Sequence, residues 1–151
     1  MAYATIQNQV MNSVNPELSV WNASRWRNVA AVVMGANASA DFYLTQIVSH
    51  HSRPAVERFL TEAERRRLGL PGMFGVFYYR SANPKTLETL REFLPVPVAE
   101  LTEEFAQGAT PDAVCARSIR ELTAAGVRHF YVSNLPVNRA AATLQRILAL
   151  V

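Results

Sequence analysis

The stretch Asp41-Phe42-Tyr43-Leu44-Thr45-Gln46-Ile47-Val48 decides how this chain folds. It is a near-continuous run of aromatic, aliphatic and β-branched residues, the pattern of a strand buried on both faces of a parallel sheet. Downstream, Pro54 to Leu68 places Val56, Phe59/Leu60 and Ala63 on one helical face, with Glu62 four residues before Arg66 on the other. Gly69 is expected to stop that helix. A second apolar strand, MFGVFYY at 73–79, precedes Asn83-Pro84, which opens a helix through Leu87, Leu90 and Leu94 that Pro95 and Pro97 terminate. ELTEEFAQG predicts a short extra helix, and Thr110-Pro111-Asp112 caps another that runs to Ala125 with Gly126 behind it. A third strand, VRHFYVSN at 127–134, leads to a last helix with Leu144, Ile147/Leu148 and Val151 on its inner face. Strands alternating with helices imply parallel strands joined by right-handed crossovers, as in a barrel or a doubly wound sheet.

Upstream the pattern is weaker. Asn15-Pro16-Glu17 reads as a helix start and Gly35 as its stop, with Leu18, Trp21, Trp26, Val29 and Val33 at helical spacing, although VAAVVM alone also fits a buried strand. AYATIQNQV alternates as a strand would. No linker or boundary interrupts the chain, so residues 1–151 read as a single α/β domain.

Composition bounds the function. Half of the 151 residues are hydrophobic, and a chain of this length buries roughly two thirds of its unfolded surface, enough for a core without disulfides or a structural metal. The formal charge of +3 comes from arginines interleaved with acids, with no basic stripe of the kind that tracks nucleic acid. One cysteine, no basic segment leading into an apolar one, and no apolar run near the roughly 20 residues of a membrane span point to a cytoplasmic protein off the membrane.

In both candidate architectures ligands bind beyond the carboxyl ends of the strands. Three polar clusters fall there: Thr45-Gln46 with Ser49-His50-His51, Tyr79-Arg80-Ser81 with Asn83, and Ser133-Asn134 with Asn138-Arg139. Gln46 interrupts an apolar strand, and its carboxamide needs a donor and an acceptor from protein, water or the amide edge of a ligand such as a pterin or nicotinamide. Arg80 follows an aromatic strand, where a guanidinium can clamp a carboxylate or phosphate through two parallel hydrogen bonds. Adjacent histidines on one chain are expected to diverge, so His50 and His51 read as structural or substrate-contacting residues rather than metal ligands, and a metal-dependent hydrolase reading rests on them and His129 alone. His129, inside the third strand, reads as a packed, hydrogen-bonded residue, and Cys115, beside Val114 and Ile119, as a small hydrophobe. Arg65-Arg66-Arg67 sits at a helix carboxyl end, which favours cations without any ligand. There is no glycine-rich phosphate loop.

DFYLTQIVSHH, PGMFGVFYYRSANPKTLETL and GVRHFYVSNLPVNRAAATLQRIL, in that order, resemble the closing part of methylenetetrahydrofolate reductase, a flavin-binding (β/α)8-barrel family. Gly35-Ala36-Asn37 ahead of Thr45-Gln46 is similar to the turn and Thr-Gln pair of the family's sixth strand. Pro71-Gly72 and Ser81-Ala82-Asn83 resemble the start and loop of the next strand. His129-Phe130-Tyr131 with Asn134 and Arg139 resembles the last. The likeness covers residues 35–151, and residues 16–34 would correspond to the helix before the Thr-Gln strand. The chain departs from the family in Leu135-Pro136-Val137, inserted between Asn134 and Asn138-Arg139, and in a more aromatic second strand.

The resemblance implies reduction of methylenetetrahydrofolate to methyltetrahydrofolate, the one-carbon step that feeds methionine biosynthesis, by hydride transfer from NAD(P)H through FAD. It implies that Gln46 contacts cofactor and, alternately, the pterin of the folate substrate, while Thr45, Tyr79, Arg80, Asn83, Asn134 and Arg139 shape the substrate site. A whole barrel takes about 250 residues. The chain accounts for the carboxyl-terminal half only, so the resemblance also implies self-association or a complementing amino-terminal half-barrel chain to supply the acidic residue near the reacting methylene and most flavin contacts. The alternative expectation is a truncated, non-catalytic α/β module that binds folate or a partner protein.

Overall fold

The computed structural model describes residues 42–151; the expectations for the helix at 16–34 and the strand before it lie outside these residues. The described residues form an α/β fold around a three-stranded parallel sheet. β1 spans Tyr43–Ile47 and leads through a single 3-10 turn, His50–Ser52, into α1, Arg53–Arg65. β2 spans Gly72–Phe77 and is followed by α2, Pro84–Arg91, α3, Val98–Ala106, and α4, Pro111–Ala124. β3 spans His129–Ser133, and a second 3-10 turn, Val137–Arg139, opens α5, Ala140–Leu148. All three strands appear where the sequence placed them: β1 and β3 are shorter at both ends, while β2 begins one residue earlier than expected and ends two residues sooner.

The strands lie in chain order, β1-β2-β3, so both crossovers step in one direction across the sheet. Met73 to Phe77 pairs residue by residue with His129 to Ser133, whereas the β1–β2 register shifts between Leu44 and Ile47. Phe74, Val76 and Tyr78 point to one face, where they pack with Val56, Phe59 and Ala63 of α1, Cys115, Ile119 and Leu122 of α4, and Ile147 of α5. Tyr43, Phe59 and Phe74 meet edge to face there, with ring centroids 5.9 to 6.4 Å apart. A second cluster joins Tyr79 to Leu87, Val96, Leu101 and Val114, seating α2 and α3 against the carboxyl end of β2.

The caps follow the sequence. Asn83 and Thr110 each accept a backbone N–H three residues on, from Thr86 and Ala113. Three helices close with the same bond from the residue after a left-handed position back to a carbonyl five residues earlier: Leu68 to Ala63, Ala109 to Glu104 and Val127 to Leu122. Gly108 and Gly126 hold that position with φ of 91° and 106°. In α1, Arg67 holds it at φ 56°, which corrects the expectation that Gly69 stops this helix. The apolar Leu68, half-buried against the core, fixes where the chain must turn back, and Gly69 falls two residues too late.

The inner face of α5 also differs from expectation. Thr143 and Ile147 are buried and Leu144 half-buried, while Leu148 and Val151 are 58% and 46% exposed. The 143/147 row, four residues apart, meets α4, and the adjoining side has no cover among the described residues. Asp112 at the start of α4 accepts hydrogen bonds from the Tyr78 hydroxyl and the Arg146 guanidinium, both 2.7 Å, and so joins β2, α4 and α5. Burial alone would push its carboxyl up, but these two partners outweigh that and hold it below its ordinary value.

Cys115 is 1% exposed, and burial, with the nearby Asp112 charge, pushes its thiol up to about 12. A thiol-selective reagent at pH 8 is therefore expected to leave the folded chain unlabelled and to label it stoichiometrically in denaturant. Rapid labelling of the native protein would refute this placement.

Candidate functional site

Three buried polar atoms without a hydrogen-bond partner lie at or just beyond the carboxyl ends of the three strands: Gln46 Oε1, Tyr79 Oη and Ser133 Oγ. Each such atom costs about 1–3 kcal/mol if nothing satisfies it. Gln46 falls within the register shift of β1, a local irregularity of the kind that re-aims side chains beside binding sites. Its neighbour Thr45, fully buried, accepts the Gly75 N–H at 3.2 Å and donates to the Gln46 carbonyl at 2.7 Å. Tyr131 lies across Gly75 and donates to the Thr45 carbonyl at 2.6 Å, spanning from β3 over β2 to β1. Burial raises the Tyr79 hydroxyl well above its ordinary value, so Tyr79 stays neutral.

The remaining residues expected at the site are engaged more loosely. Arg80 is exposed and rests its guanidinium on the Asn134 carbonyl at 3.2 and 3.4 Å, while Asn134 donates to the Tyr78 carbonyl at 3.0 Å. Asn134 takes a left-handed φ of 65°, which turns the chain sharply at the end of β3. The loops after β2 and β3 are thus tied together. Asn83 spends its side-chain oxygen on capping α2, and Arg139 is exposed in the turn before α5. Arg65 and Arg66 both bind Glu62, consistent with a solvated helix end.

Two histidine expectations need correction. His129 is the first residue of β3 and is exposed, because the strand begins at that position rather than two residues earlier. His50 and His51 converge instead of diverging. They sit in a 3-10 turn, where successive side chains are separated by roughly 120° rather than alternating across a strand. Ser52 ties the turn by donating to the Ser49 carbonyl and accepting from the Ser49 N–H, both at 2.9 Å. The two rings lie 3.9 Å apart, centroid to centroid, with Nε2 atoms 2.5 and 2.8 Å from Glu104 Oε1. The His51 approach lies off the line of a hydrogen bond, which leaves its Nε2 without a hydrogen-bond partner. Burial, then the adjacent His50, lower the His51 pKa against the opposing pull of Glu104 and Glu100.

Glu104 and Ser118 escaped the sequence reading. Glu104 is 8% exposed on α3 and Ser118, on α4, meets His50 Nδ1 at 2.9 Å. The available signal was an acid three residues after Leu101, on the apolar side of a short amphipathic helix. Beside this cluster opens a cavity of about 650 Å³, lined among others by His51, Arg58, Arg91, Val96 and Glu100. Among the described residues no helix is long and apolar enough to cross a membrane. Compared with known proteins, the sequence matches no family model and no curated protein.

Proposed function

We propose that this chain is the carboxyl-terminal half-barrel of a methylenetetrahydrofolate-reductase-like flavoenzyme, with Gln46 as its principal ligand contact. The observation that carries this reading is the partnerless, buried Gln46 Oε1 at the carboxyl end of β1. A ring edge bearing N–H donors, as pterin and nicotinamide carboxamide both do, would satisfy it. Two features add support. The strands advance in one direction instead of reversing, and Phe74, Val76 and Tyr78 meet α1, α4 and α5 on a single face, as the outer layer of a barrel would.

FAD, when bound, would supply the hydride relay between NAD(P)H and the folate. The chain's own residues would accept the ring N–H groups at Gln46, hold a substrate carboxylate at Arg80 and exclude water around the buried Tyr79 hydroxyl. The described residues offer no glycine-rich cradle for the FAD phosphates, so those contacts would come from a complementing half. β1 and β3 each have one paired neighbour among the described residues, and such edges favour that association.

Titration of FAD with the purified chain, read as quenching of flavin fluorescence, tests this. The expected result is saturable quenching, by the chain alone or once a complementing half-barrel chain is added. Gln46→Ala is expected to slow folate-dependent reoxidation of the reduced flavin by roughly tenfold or more, the cost of one directed hydrogen bond in such a site. Folate binding without flavin uptake in any assembly would overturn the reductase reading in favour of a non-catalytic module.

A further inference from the structure

We propose that His50, His51 and Glu104 form a binding site for a divalent transition-metal ion of the zinc class, with an open coordination position facing the adjoining cavity. Two imidazoles and one carboxylate place their ligating atoms within 4.8 Å of one another. Nitrogen and oxygen donors of this kind suit zinc at about 2.0–2.2 Å in tetrahedral geometry, which requires neighbouring donors to stand roughly 3.3 Å apart. The present separations of 2.5 Å for His50 and 2.8 Å for His51 from Glu104 Oε1 therefore need to open by less than 1 Å, through small adjustments of the Glu104 carboxylate and the two rings.

Several features favour an ion over a cluster held by hydrogen bonds alone. One carboxylate oxygen faces two imidazole nitrogens, and only the His50 nitrogen is aligned as a hydrogen bond. His51 Nε2 is buried 2.8 Å from Glu104 Oε1 without a well-aligned hydrogen bond, and the buried Glu104 Oε2 has only the Arg117 guanidinium nearby, at 3.6 Å. Ser118 fixes the other nitrogen of His50, the outer-shell contact that orients ligating histidines. The Ser49–Ser52 tie sets the turn that holds both rings on one side.

The charges around the site are mixed. Arg117 approaches Glu104 Oε2 at 3.6 Å, on the oxygen away from the histidines, so Oε1 remains directed at them. Glu100, one helical turn earlier on α3, lines the cavity near His51 and adds negative charge. Arg58 and Arg91 line the same cavity and suit an anionic ligand in the open position. The inference needs none of the flavin contacts at Gln46 and stands or falls apart from them.

Isothermal titration of the chelator-treated full chain with zinc chloride, together with the visible spectrum after cobalt(II) addition, tests the site. One ion per chain and cobalt bands of a low-coordinate nitrogen–oxygen site are expected. His51→Ala and Glu104→Gln should each weaken binding by more than the roughly 10- to 100-fold that loss of an outer-shell partner costs, and Ser118→Ala should fall within that range. His129→Ala, which alters the remaining histidine, should bind as the parent chain does. No saturable binding and no cobalt spectrum in the parent chain would overturn the proposal, whatever the variants do. It would also be overturned if His51→Ala and Glu104→Gln, folded by circular dichroism, bound as tightly as the parent.

Discussion

Phe59→Ala is expected to destabilise the fold by about 3–5 kcal/mol, the largest single-residue effect in the core. Phe59 is 1% exposed and touches the rings of Tyr43 in β1 and Phe74 in β2, so it joins α1 to both strands. Truncation removes the transfer free energy of the ring and two edge-to-face contacts, and leaves a cavity between helix and sheet that packed neighbours close only in part. Domains of this size have about 5–15 kcal/mol in total, so the variant should unfold at a midpoint lower by on the order of 10 °C. Thermal and urea unfolding followed by circular dichroism measure this. Leu148→Ala, at a 58% exposed position, should stay within about 0.5 kcal/mol of the parent. A loss below about 1 kcal/mol for Phe59→Ala would mean that α1 does not rest on the sheet as described.

The same contacts explain why much of the fold is legible in the sequence. Tyr43, Phe59, Phe74 and Val76 belong to runs whose periodicity already separates strand from helix, and Asn83 and Thr110 mark helix starts through chemistry confined to three or four residues. What local pattern does not carry is the end of an element when tertiary packing chooses it. Arg67 takes the left-handed turn of α1 because Leu68 must reach the core, and Leu148 stays exposed because α4 covers only the Thr143/Ile147 row. Strand order is equally absent from local pattern: alternating elements leave open which strands are neighbours, and the order β1-β2-β3 emerges only from the structure.

The site divides in the same way. Gln46 stands out in the sequence because a carboxamide in an apolar strand needs a partner from protein, water or ligand, and within the fold its buried oxygen has none. The histidine–glutamate cluster does not stand out, since it joins residues 54 apart and depends on a turn geometry that reverses the usual expectation for neighbouring side chains. Side chains of adjacent residues on an extended chain point apart, whereas the 3-10 turn His50–Ser52 brings the two imidazoles together. Conformation at four residues thus decides whether one carboxylate gathers two histidines.

Gly75→Ala is expected to cost about 1–3 kcal/mol although alanine suits a strand at least as well as glycine. An added Cβ would lie 2.5 Å from Tyr131 Oη, 2.6 Å from its Cζ and 3.1 Å from Ile47 Cδ1. The first two contacts are with a ring pinned by its hydrogen bond to the Thr45 carbonyl, so relief requires that ring to leave. The Tyr131 bond reaches across β2 to the peptide that precedes Gln46, so its loss also frees the strand carrying the partnerless carboxamide. A double-mutant cycle with Tyr131→Ala isolates the clash: with the ring gone the extra methyl fits, and the double variant should be more stable than the sum of the single losses by about 0.5–3 kcal/mol. Strict additivity would show that Tyr131 does not lie over Gly75. Coupling in that cycle, accompanied by a loss of ligand response like that of Gln46→Ala, would tie the Gly75–Tyr131 contact to the geometry of the sheet's binding end.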